Sequence, residues 1–387
     1  MPILNRAAEL QDEVAGWRRT IHQNPELNYD VYQTAAFVAE KLESFGCDHV
    51  EGGIGRTGVV GIIKGNLGAG ATVGLRADMD ALPIMEATGK SYASQNPGKM
   101  HACGHDGHTA MLLGAAKYLA ETRNFAGSVA VIFQPAEEGG AGGLAMVKDG
   151  MMDRFGIAQV YGMHNMPGLA VGQFAIRPGP IMAATAEFTI TVKGRGGHAA
   201  MPHRAIDPIV IGSQIVAAMQ TIASRTVDPL DSVVVTVTKF HGGDAYNIIP
   251  EQVELAGTVR TLRKEVAATA GERIRAICAG IAAANGASVE VDYDSNYPVT
   301  FNHPEQTALA GNVAATIAGE TNVHREIQPL MGGEDFSYML EARPGAFIFI
   351  GNGDTANLHH PAYDFNDEAI AHGVSYWVKL AETTLAV

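Results

Sequence analysis

Four short segments concentrate the side chains that could do metal chemistry: Met100-His101-Ala102-Cys103-Gly104-His105-Asp106-Gly107-His108, Gln134-Pro135-Ala136-Glu137-Glu138-Gly139-Gly140, Gly162-Met163-His164-Asn165 and Leu358-His359-His360-Pro361. Zinc and similar ions take thiolate, imidazole and carboxylate, and a catalytic site keeps a position for water. Cys103 and His105 alternate with small residues, so both can face one side of an extended loop. A free core cysteine beside surface histidines is the ordinary alternative. Glu137 and Glu138 follow the apolar run Ser128–Phe133, where α/β sheets place their sites. Neighbouring side chains diverge, so one glutamate can bind metal while the other reaches a water. The alternative for this pair is an acidic helix start. His164, taken alone, reads as a satisfied core histidine, and His359-His360 as a surface turn. The four segments make a stronger case jointly, because each closes a strand or opens a loop.

The elements that must position these residues follow from periodicity. Leu4–Trp17 reads as an amphipathic helix, and Thr34–Phe45 as another stopped by Gly46. Gly58–Lys64 and Ala71–Leu75 read as a pair of strands split by a Gly-rich turn. Gly107–Thr122 reads as a helix and Ser128–Phe133 as a buried central strand. These predict an α/β catalytic domain, a mixed sheet sandwiched by helices. From Ala186 the texture changes to strand, helix, strand, strand, helix, strand: Glu187–Val192, Pro208–Ser224, Val233–Phe240, Gln252–Leu262, Lys264–Ala284 and Ser288–Asp292. That is the split βαβ pattern of an inserted α+β, ferredoxin-like domain. The predicted division is 1–184 and 298–387 for the metal-binding domain and 185–297 for the insertion.

Composition narrows the function classes. The 387 residues carry 27 Lys+Arg against 41 Asp+Glu, a net charge of −14 with histidine neutral. That acidity argues against a nucleic-acid surface. No apolar run reaches the length of a membrane helix, and the N-terminal stretch lacks the apolar core of a secretory signal. Cys47, Cys103 and Cys278 are too few and odd in number for a disulfide framework, so a reducing cytoplasm is expected.

Taken end to end, the motifs resemble the aminoacylase and carboxypeptidase-G-like dinuclear metallopeptidases. The resemblance is to their amidohydrolase branch of hippurate hydrolases, N-acyl-L-amino acid amidohydrolases and auxin–amino-acid conjugate hydrolases. It runs through Arg18-Arg19-Thr20-Ile21-His22-Gln23-Asn24-Pro25-Glu26-Leu27 and Leu75-Arg76-Ala77-Asp78-Met79-Asp80-Ala81-Leu82-Pro83-Ile84. It continues through the Cys103 and Glu137 segments, Gly196-Gly197-His198-Ala199-Ala200-Met201-Pro202-His203, Gly332-Gly333-Glu334-Asp335-Phe336 and Leu358-His359-His360-Pro361. The resemblance implies two divalent metal ions bridged by a water, with Cys103, His105, Glu138, His164 and His359 as ligands and Glu137 as general base. Cys103 takes the bridging place held by an Asp in the wider family, and Arg76 stands where that family has a His. Thiolate suits Zn²⁺, with Mn²⁺, Co²⁺ or Ni²⁺ as alternatives. Asp78 is implied to orient a ligand, whereas His101, Asp106 and His108 read as structural or supporting residues. The inserted domain is implied to be a lid and dimer interface, its His198 reaching the partner's site to polarise the scissile carbonyl. A homodimer, or a higher oligomer, is therefore expected. Asn247 and Arg260 are implied to hold the substrate, an arginine fork suiting a carboxylate.

The expected activity is metal-dependent hydrolysis of N-acyl-L-amino acids to a carboxylate and a free amino acid. Three rivals stand beside it. A dipeptidase or carboxypeptidase would use the same centre. A cysteine amidase would use Cys103 as nucleophile and His105 as base, although a histidine two residues away is poorly placed for that. A metal-binding protein without catalysis would have no use for Glu137 beside Glu138.

Overall fold

A computed structural model describes residues 3–387. The chain divides into two compact units. The first comprises the chain up to Ile181 with Thr300–Gln328 and Asp335–Val387, and the second Met182–Val299 with Pro329–Glu334. The return segment Pro329–Glu334 departs from the predicted division, which placed it with the metal-binding part. The cause is backbone pairing: the amide of Ala183 donates to the carbonyls of Leu330 and Gly332.

The first unit is built on an eight-stranded mixed sheet flanked by helices. Its strands run in the order His49–Ile54, Gly58–Lys64, Ser128–Gln134, Thr72–Asp78, Ile157–Pro167, Gly345–Gly353, Phe174–Ala175, Val323–His324. The four central strands are parallel, and an antiparallel hairpin forms one edge. Gly58–Lys64 and Thr72–Asp78 are not neighbours, contrary to the sequence expectation: Ser128–Gln134 lies between them and bonds to both. Its unbroken apolar run, buried on both faces, belongs at the centre of the sheet. Along Thr72–Asp78 the alternation is decisive. Val73, Leu75 and Ala77 join the main apolar core, so Arg76 and Asp78 face the other side.

Helix His105–Thr122 is buried along most of its length against the helices Gln11–Gln23 and Ile370–Thr384. Its apolar faces explain why Ala, Leu and Met dominate it. The first predicted helix is two, Asn5–Glu9 and Gln11–Gln23, and the second runs past Trp17, which makes Arg18 and His22 helical.

The second unit holds a four-stranded antiparallel sheet in the order Val233–His241, Gln252–Thr261, Ala184–Lys193, Ser288–Ser295. Helices Pro208–Thr221 and Lys264–Ala284 complete the strand, helix, strand, strand, helix, strand succession, which with this strand order is the ferredoxin-like arrangement. It has its own core around Phe188, Ile190, Ile215, Leu255 and Ile274. No helix among the described residues is long and apolar enough to cross a membrane.

Candidate metal centre

The centre lies at the carboxyl ends of the parallel strands of the first unit, where such sheets place their sites. Asp78 ends one strand, Gln134 the next, and His164 sits near the end of a third. Gly104 has φ +89° and opens helix His105–Thr122. Only glycine suits this position, because a Cβ there would come within 2.3 Å of Asn165 Nδ2 and 2.5 Å of the Tyr363 hydroxyl. Ala136, at φ +54°, and His359, at φ +63°, are non-glycine residues in the left-handed region, the first beside Glu137 and the second itself a candidate ligand. The His359 turn is pinned by its amide, which donates to the carbonyl of Ala102.

Three groups of candidate ligand atoms, each within 4.8 Å of one another, form there: Cys103–His105–His164, Cys103–Glu138–His359 and His105–Glu137–Glu138. Cys103 belongs to two of them, its Sγ 3.4 Å from Nε2 of His164. The lone pairs are aimed by backbone carbonyls. Nδ1–H of His105 donates to the carbonyl of Asp80 at 2.8 Å, and Nδ1–H of His164 to that of Asn165 at 2.7 Å. A carbonyl only accepts, so Nδ1 of each ring carries a proton and Nε2 is the nitrogen left for a cation. Nε2 of His105 and Oε1 of Glu138 are buried without a hydrogen bond, although His359 Nε2 lies 3.2 Å from the latter. Buried polar atoms without a hydrogen bond, together with a thiol, imidazoles and a carboxylate, suit a divalent cation of borderline softness.

The field of the centre is that of a cation site. Burial would lower His105, but Asp78, Asp80 and Glu138 outweigh it and push the imidazole up to about 10. Burial, with Glu138, Glu137 and Asp78, holds the Cys103 thiol well above its ordinary value. His164 is held well below its ordinary value by burial and by His108 and His105, so it is neutral. Glu138 is lowered despite its burial, by His359 and His105.

Two supporting residues carried no role in the sequence reading. The Asp80 carboxylate accepts the amides of both Glu137 and Glu138, at 2.9 and 3.0 Å, and so sets the two diverging side chains. Asn165 bonds to Cys103 and His108. Asp80 stands in the Asp-Met-Asp stretch and Asn165 directly after His164, but only the folded chain supplies their partners. Asp78 bonds His108 Nδ1 at 2.6 Å and the guanidinium of Arg76, while His105 takes its orientation from Asp80. Arg76 also grips Gln134 and Asp335. His108 belongs to a further ligand-type group with Asp78 and His105, but Asp78 engages its Nδ1 and the Asn165 amide its Nε2. It therefore has no lone pair left for a cation.

His198, Asn247 and Arg260 belong to the second unit. His198 is exposed and paired with Ile248, and the amide of Ala199 donates to the carbonyl of Asn247. The Ala200 amide donates to His198 Nδ1, which leaves Nε2 as the protonated nitrogen of the neutral ring. Arg260 is half-buried on Gln252–Thr261 and bonds Thr258 and the carbonyl of Val259. Burial lowers its pKa from the ordinary value, although Glu187 opposes this.

The description of peptidase family M20/M25/M40 matches residues 74–383. Hippurate hydrolase of Campylobacter jejuni is 44% identical over 382 residues, covering 98% of this chain and 99% of the relative. N-acetyl-L-cysteine deacetylase of Bacillus subtilis is 42% identical, covering 93% and 85%. The solved Bacillus subtilis YXEP protein, described as a dinuclear metal binding peptidase, superposes with a TM-score of 0.85 at 34% identity, covering 98% and 99%. The chain belongs to peptidase family M20/M25/M40 and is a metal-dependent amidohydrolase.

Proposed function

We propose that the chain hydrolyses N-acyl-L-amino acids of the hippurate type, releasing a carboxylate and a free amino acid. The observation that carries this reading is the sharing of Cys103 between two ligand groups, with Glu137 beside one of them. Cys103, His105 and His164 would hold one divalent cation, and Cys103, Glu138 and His359 the other. When bound, such ions would supply Lewis acidity for the attacking water and the acyl carbonyl. Glu137, held by Asp80, takes the proton of the attacking water and passes it to the leaving nitrogen. His198, reaching the partner's site as the resemblance implies, would donate from Nε2 to the developing oxyanion, and Arg260 with Asn247 would bind the substrate carboxylate. Asp78 stabilises the centre through His108. Zn²⁺ is the first choice of metal because of the thiolate, with Mn²⁺, Co²⁺ and Ni²⁺ next. A homodimer through the second unit and a cytoplasmic location complete the reading.

A cysteine nucleophile needs a cationic neighbourhood to form its thiolate. Cys103 instead faces Glu138, Glu137 and Asp78, which favours its use as a metal ligand. Both named relatives act on amides in which the acyl group is carried by an amino-acid nitrogen, which favours acyl amino acids over dipeptides. The test is amino-acid release from hippurate and N-acetyl amino acids by protein stripped with a chelator and then reloaded with single metals. Loss on stripping and recovery on reloading are expected. Full activity in exhaustively stripped protein would overturn the reading.

A further inference from the structure

A buried chain of hydrogen bonds runs behind the centre, reaching the carbonyl of one proposed ligand, Cys103, and the residue that follows another, His164. Arg76 donates to Asp78 Oδ2 at 2.8 Å, and Asp78 Oδ1 accepts from Nδ1–H of His108 at 2.6 Å. Nε2 of His108 accepts the backbone N–H of Asn165 at 2.9 Å. Asn165 Nδ2 donates to the carbonyl of Cys103 at 2.6 Å, and Asn165 Oδ1 accepts from the Tyr363 hydroxyl at 2.8 Å. Every member is buried. The direction of each bond is fixed. Arginine only donates, a backbone amide only donates and a carbonyl only accepts, so the His108 tautomer and the Asn165 amide orientation follow.

We propose that Asn165 and Tyr363 are positioning residues that lock the peptide of Cys103 to that of His164, setting the angle between thiolate and imidazole at the first cation. The clamp rests on the dinuclear reading above. It joins the helix-opening segment, the strand bearing His164 and the carboxyl-terminal loop, none of which is adjacent in sequence. Gly104 agrees with it independently, since only a residue without a Cβ leaves room for the Asn165 amide and the Tyr363 hydroxyl at that point. Fixed orientation matters because the residues behind metal ligands set affinity, and their loss typically costs about 10- to 100-fold in binding.

Tyr363→Phe removes one hydroxyl and keeps the buried ring. Asn165→Ala removes the amide. Full-length protein of each kind, and of the double variant, is titrated with Co²⁺ and, by competition, with Zn²⁺, following the thiolate-to-cobalt absorption. Each single variant is expected to bind about 10- to 100-fold more weakly with an altered cobalt spectrum. Tyr363→Phe is expected to add little in the Asn165→Ala background, because the two act through one chain. Affinity within twofold of the unmodified protein with an unchanged spectrum would overturn the clamp. So would an equal fall in the melting temperature of metal-free and loaded forms without a change in affinity. If the unmodified chain itself bound no cobalt, the metal reading would fall and the clamp with it; equal binding by all forms would sink the clamp alone.

Discussion

Cys103, His105 and His164 in the first unit are shut away from solvent, and each is fixed by a bond to its own ring or peptide. In the second unit His198 sits on an exposed two-stranded ribbon and Asn247 in the turn that leads into it, with Met201, Tyr246 and Ile248 exposed around them. The first region has the build of bond-breaking chemistry, which tolerates displacements of well under an ångström. The second has the build of a recognition surface, where apolar and polar groups stay open to a ligand or another chain. Changes in the first should therefore act on turnover, stability and metal; in the second, Asn247 and Arg260 should act on substrate affinity, and His198, through the oxyanion, on turnover.

The largest expected effect tests the first half of this contrast. Glu137→Gln should lower kcat by about 10²- to 10⁴-fold while metal content measured by atomic absorption stays at the wild-type level. Turnover near the wild-type rate would remove Glu137 from the proton-transfer role. Next, Gly104→Ala should cost about 2–5 kcal/mol in urea unfolding, from left-handed strain plus the collision with Asn165 and Tyr363. An unchanged urea midpoint would show that the packing there can yield. Arg260→Ala should raise KM about 10- to 100-fold for acyl amino acids with little change in kcat, the scale of a lost hydrogen bond to a charged group. A fall in kcat with KM constant would place Arg260 with the first region instead. The smallest effect concerns His22, which Asp106 and Glu86 push up to about 9 against the lowering effect of its burial. Its folded value lies above its unfolded value, so protonation favours the fold. That stability is fully present below about pH 6.5 and is lost as pH rises through about 9. His22→Gln should flatten the decline in urea midpoint across that window, and an unaltered slope would count against the assignment.

Ligand types were legible because they cluster in short motifs, and the split βαβ order because strand and helix periods alternate cleanly after Ala186. Strand neighbours were not. Gly58–Lys64 and Thr72–Asp78 are close in sequence, and nothing local says that a strand some fifty residues later will come between them. The supporting bonds were hidden for the same reason. Tyr363 meets Asn165 across 198 positions, and the carboxylate of Asp80 meets the amides of Glu137 and Glu138 across nearly sixty. The return of Pro329–Glu334 to the second unit rests on backbone pairing with Ala183, which carries no side-chain signature.

The Nδ1–H bonds of His105 and His164 to the carbonyls of Asp80 and Asn165 bear on how fast ions are captured. The rings are turned and their tautomers chosen during folding, before any ion arrives. Loading then asks for protons to leave, from the Cys103 thiol and from Nε2 of His105, which its acidic neighbours hold charged, and not for the backbone to rearrange. The speed of uptake should accordingly follow hydroxide concentration and diffusion, with little of the temperature dependence that a conformational gate would impose.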